Sequence, residues 1–231
     1  MSTLRQVDSF GIVLPEQWTS VPTELRAFEA FCNRARERWR QLPLFDRAFE
    51  RRADTMLNRL RHELASAGVI LAAVFIEEVV DDTVKAGQPP AEPELLIAAC
   101  TLAVYTKADL ETELSLSVPV LFSAFTRKPR GEEPRYGQIT DIVRPDLVAL
   151  PAGRAVHLCR LYEPRRFGVE LERFFAESFV LPIGTDGEAC CVLQFATTNV
   201  EQSRRFSELF GAIAATFRMF HPDDPTDFTE P

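Results

Sequence analysis

Apolar residues recur three and four apart from Leu25 to Trp39, so that Leu25, Phe28, Phe31, Cys32, Ala35 and Trp39 share one helical face. Val21-Pro22 opens this helix, proline being suited to a first turn. Pro43 interrupts the pattern. A second helix is predicted from Leu44 to Ala65, with Phe45, Phe49, Ala53, Met56, Leu57, Leu60 and Leu64 inward and Gly68 where a helix would stop. The break leaves two arrangements open, an αα-hairpin or one kinked helix.

The period then changes. Residues 69–76 (VILAAVFI) and Leu95 to Tyr105 are continuous and apolar, and they read as buried strands. Val84 to Pro93 between them is a loop rich in proline. A helix is predicted from about Asp109, with Leu110, Leu114, Val118, Leu121, Phe122 and Phe125 on one side and Pro119 kinking or dividing it. Residues 127–135 (RKPRGEEPR) form a polar surface loop. Weak strand character covers Ile139 to Leu150, and further strands are expected at Ala155 to Tyr162, Phe174 to Ile183 and Ala189 to Ala196. Gly184-Thr-Asp-Gly187 makes the last two a hairpin. Asn199 followed by Gln202 reads as a capping box for a closing helix that buries Phe206, Leu209, Phe210, Ile213 and Phe217. Strands joined by hairpins imply an α+β fold: an antiparallel sheet packed between helices, with an N-terminal helical pair inserted at about residues 21–66. One domain is expected over residues 1–220, and the acidic, proline-rich residues 221–231 form a fraying tail.

Composition narrows the function. A net charge of −8 argues against a nucleic-acid or anionic-membrane partner. No apolar run is long enough to span a bilayer, and no signal sequence precedes Phe10, which points to a cytoplasmic protein without membrane insertion. Five cysteines without metal spacing (Cys32, Cys100, Cys159, Cys190 and Cys191) read as buried free thiols. Cys190 and Cys191, being adjacent on a strand, would face opposite ways.

The chemistry-bearing residues are sparse. His62, His157 and His221 make no zinc motif, and neither a nucleophile elbow nor a phosphate loop is present. His157 and Cys159 lie two apart on a strand and therefore on the same side, but no orienting carboxylate is evident beside them. Glu77, Glu78, Asp81 and Asp82 form an acidic cluster after the first buried strand, with a solvated loop end preferred over a cation site. Nine arginines from Arg34 to Arg61 make the helical pair locally basic, read as a solvated face first and a docking face for an acidic partner second.

The hairpin from Phe179 to Asn199 (FVLPIGTDGEACCVLQFATTN), the helix ending FGAIAATF at residues 210–217, and the start FGIVLPEQW at residues 10–18 together resemble the PsbP-like superfamily. The resemblance implies an antiparallel sheet between helices and, usually, no catalysis. Its members include a photosystem subunit, a nuclear import factor, actinobacterial lipoproteins and bacterial chaperones, so fold alone does not name a partner.

The expected function is therefore a non-enzymatic, adaptor- or chaperone-like binding protein that needs no cofactor and no metal. Phe122, Phe125, Phe174 and Phe175 are the candidate groove lining, with Arg47 and Arg51 as candidate charged contacts. A protein partner is expected, and a homodimer stays open. The alternatives are a carrier of a small apolar ligand and an enzyme using Glu77, Glu78 or Asp141 as acid and base.

Overall fold

A computed structural model describes residues 9–66, 68–79, 93–126, 145–163, 172–184 and 187–220, and residues 138–142 as backbone. The loop at 84–92, the polar loop at 127–135, Asp81, Asp82, His221 and the tail lie outside the described residues.

The chain runs β1 (Ser9–Gly11), β2 (Trp18–Ser20), α1 (Leu25–Trp39), α2 (Arg47–Leu64), β3 (Val69–Val79) and β4 (Glu94–Thr106). It continues with α3 (Val118–Thr126), β5 (Gln138–Ile142), β6 (Asp146–Leu150), β7 (Gly153–Glu163), β8 (Phe174–Ile183), β9 (Ala189–Thr197), α4 (Ser203–Ala214) and β10 (Arg218–Phe220). Eight strands form one antiparallel sheet in the order β2-β3-β4-β9-β8-β7-β5, with β6 also paired to β7. β1 and β10 make a separate two-stranded ribbon. This is an α+β fold.

Alternation along the strands sorts the core into two faces. On one face, Ala72, Val74, Leu95, Ile97, Ala99, Phe174 and Ala176 pack under the helical pair, against Phe28, Phe49, Met56, Leu57 and Leu60. On the other, Phe75, Ala98, Cys100, Phe179, Leu193 and Phe195 pack under α4, against Phe206, Phe210 and Ile213. Burying each Phe, Leu or Met side chain contributes roughly 1.5–3 kcal/mol, so these two layers supply most of the driving force. A third cluster lies under α3, where Leu116 and Leu121 meet Val156, Leu158, Val180 and Cys190. Cys190 and Cys191 do face opposite ways, one in the α3 cluster and the other under α4.

Pro43 separates two distinct helices. The second begins at Arg47 rather than Leu44, because the Asp46 carboxylate accepts the Phe49 N–H at 2.6 Å and caps the helix there. Four further expectations are corrected. The helix expected from Asp109 starts only at Val118. Asp109 instead folds back, its carboxylate accepting from the Thr106 amide and hydroxyl, each at 2.7 Å. Pro119 consequently sits in the first turn of α3, where its missing N–H costs nothing, and it kinks no helix. Asn199 caps no helix either: a short 3₁₀ turn, Val200–Gln202, comes between it and α4, and neither makes a side-chain cap. Gly68 does not stop α2, which ends at Leu64; its positive φ of 95° instead brings it against β4, where its carbonyl accepts the Val104 N–H at 2.8 Å.

Candidate functional site

The arginine-rich pair is largely self-neutralised. Arg36 bonds Asp54, Arg40 bonds Glu50, Arg52 bonds Glu94 and Arg61 bonds Glu29. Arg51 bonds Glu172 at 2.8 Å, and Arg47 is exposed on the first turn of α2. Arg59 lies on no solvated face. It is 3% exposed, pairs with Glu63 inside the interface between α2 and the sheet, and stands over the Phe174 ring at 5.7 Å. The Thr101 hydroxyl of β4 donates to the second Glu63 oxygen at 2.9 Å.

The four phenylalanines expected to line one groove do not meet. Phe174 is 2% exposed and stacks on Tyr162 beneath the helical pair, so it is core. Its neighbour Phe175 points to the opposite face, toward the α4 layer. Phe122 and Phe125 remain together, half-buried on α3 over the third cluster. Around them lies an apolar surface that burial does not account for. Of the nine residues of α3 (VPVLFSAFT), only Leu121 is buried. Val120 is half-buried, Ala124 is exposed, and Leu110 and Leu114 just upstream are 43% and 64% exposed. The guanidinium of Arg160, from β7, lies 5.6 Å over the Phe125 ring at the border of this surface.

The acid–base alternative is not assembled. Glu77 and Glu78 are consecutive on β3 and so face opposite ways, while Asp141 belongs to β5, at the far end of the strand order. His62 is exposed near the end of α2, away from the other described histidine.

His157 and Cys159 do share a face, and the fold brings them the carboxylate that the spacing alone did not reveal. The β7–β8 register sets Glu177 directly opposite Cys159 and Phe179 opposite His157. All four therefore project to the α4 side of the sheet. His157 Nε2 lies 2.6 Å from Glu177 Oε1 and 3.5 Å from Cys159 Sγ. The imidazole stacks on the Phe179 ring at 4.7 Å. Glu177 is 2% exposed, and its second oxygen finds no hydrogen-bond partner among the described residues. His157 and Cys159 are half-buried. Burial by itself would lower the His157 pKa, but the Cys159 and Glu177 groups outweigh it and push it up to about 10.

This is not the geometry of a nucleophile relay. A Cys–His–carboxylate relay needs its two partners on opposite ring nitrogens, one to give up a proton and one to orient the ring. Here both partners address the same nitrogen.

No helix among the described residues is long and apolar enough to cross a membrane. No protein-family model matches the chain, and no curated protein does. Among solved structures it is similar to LpqN, described as involved in cell envelope biogenesis of Mycobacterium tuberculosis, at 11% identity and a TM-score of 0.42, covering 91% of this chain and 83% of that one. The PsbP-like resemblance thus rests on the strand and turn pattern of the sequence.

Proposed function

We propose that the chain is a binding module that receives an apolar segment of a partner protein on α3, acting by contact rather than by catalysis. One observation carries this reading: a helix that is apolar at nearly every position buries only Leu121, while Val120, Phe122 and Phe125 are half-buried and Ala124 stays exposed. An isolated apolar residue on a surface needs no explanation, but several incompletely buried ones on one short helix, with exposed Leu110 and Leu114 just upstream in the chain, do. An amphipathic helix of a partner would cover such a strip with residues spaced three and four apart. Arg160 at its border favours a partner carrying a carboxylate beside its apolar face.

The test uses exposed positions, so that folding is spared. Leu114→Glu and Ala124→Glu place charge on the surface without entering the core. Tagged protein purified from its native cells should enrich a specific partner, and both variants should lose it while melting like the wild type. If the wild type enriches nothing, or the variants keep the same partner, the reading is wrong.

A further inference from the structure

We propose that His157, Cys159 and Glu177 form a binding site for a zinc-like divalent cation that ties β7 to β8. Three ligand atoms of three different kinds (an imidazole nitrogen, a thiol sulfur and a carboxylate oxygen) lie within 4.8 Å of one another. They come from two adjacent strands whose register is set by a continuous ladder, so the cluster is preorganised and needs no loop to close. Around a tetrahedral zinc ion, ligands at about 2.0–2.3 Å are separated from one another by roughly 3.3–3.8 Å. The Nε2–Sγ separation of 3.5 Å already falls in that range. The Nε2–Oε1 separation of 2.6 Å is a hydrogen-bond distance and opens when the ion takes the place of the shared proton.

Glu177 supplies the independent sign. A carboxylate that is 2% exposed and leaves Oε2 without a hydrogen bond among the described residues is costly to bury. A divalent cation between this carboxylate and a thiolate cancels the charge of both, and it gives the second oxygen a role as an additional ligand. Binding displaces the Nε2 proton and the thiol proton to solvent, leaving neutral imidazole and thiolate as donors. The mixture of sulfur and nitrogen donors favours zinc over magnesium or calcium, which take all-oxygen sites.

The location gives such an ion a purpose. β6 pairs with β7 along residues 153–157, and β5 pairs with it along residues 160–163. Cys159 stands where the outer neighbour of β7 changes, and a metal there would fasten β7 to β8 at that junction.

The test is a titration of the full chain with zinc against a chromophoric chelator, paired with cobalt substitution and thermal melting. One equivalent should bind. Cobalt should show a sulfur-to-metal charge-transfer band, and zinc should raise the melting temperature. Cys159→Ser should abolish the band and the thermal shift, and His157→Ala and Glu177→Gln should each weaken binding at least tenfold, whereas His62→Ala should leave all three signals intact. A wild type that fails to compete with the chelator overturns the proposal. So does binding of equal strength in Cys159→Ser and His157→Ala. The wild-type titration decides the matter even if a variant folds poorly.

Discussion

Asn199 holds Ile97 across 102 residues of chain: its Oδ1 accepts the buried Ile97 N–H at 2.9 Å. The same side chain donates through Nδ2 to Glu94 at 2.8 Å, so the segment just after β9 is clamped to the start of β4. Asn199→Ala strands a buried backbone donor, which costs about 1–3 kcal/mol. A lower urea midpoint at unchanged slope is expected, and a midpoint equal to the wild type would show that the clamp contributes nothing.

Arg59 and Glu63 give a prediction of opposite signs. Removing either partner leaves the other charge buried and should destabilise by about 3–5 kcal/mol. Replacing both with Leu should recover most of that loss, because the desolvation cost disappears with the charges. Chemical denaturation of the two single variants and the double variant tests this, and additive losses would contradict it.

Gly68 has φ +95°, and a Cβ there would stand 2.1 Å from the Val104 carbonyl oxygen. The obstacle is backbone in the adjacent strand, so no side-chain rotation relieves it. Gly68→Ala should therefore cost more than the roughly 1 kcal/mol usual for a loop substitution, with a lower melting temperature as the readout.

The buried thiols predict an alkaline weakness. Burial pushes Cys190 up to about 11 and Cys191 up to about 12, from an ordinary value of 9.0. Between pH 9 and those values the unfolded chain has released the thiol proton that the folded chain still holds. Stability therefore falls as pH rises through that window, by about 1.4 kcal/mol per pH unit for each such thiol. Denaturation midpoints measured from pH 8 to 11 should fall, and Cys191→Val should make the decline shallower. Alkylation at pH 8 should reach half-buried Cys159 first, with Cys100, Cys190 and Cys191 modified only after unfolding.

Much of the scaffold was legible in the chain. The three-and-four spacing from Phe28 to Trp39 and from Phe49 to Leu64 can be satisfied only by helices with one buried face. The apolar runs at 69–76 and 95–105 lie inside β3 and β4, and the two turn glycines, Gly184 and Gly187, close β8 onto β9. The helix expected from Asp109 misled, because the Asp109–Thr106 turn competes for the backbone where apolar spacing alone suggested helix.

Local pattern thus determined which segments form helices and strands and which of their faces are buried, because burial periodicity is written into neighbouring residues. Only the tertiary structure decided what each polar group meets. The 18 residues separating Cys159 from Glu177 say nothing of their pairing until the β7–β8 register sets them side by side, and Arg59 reads as solvated until β4 closes over it. The reason is physical: a hydrophobic stripe is determined by its own helix or strand, whereas a polar cluster is made by contacts between segments whose register no local spacing encodes.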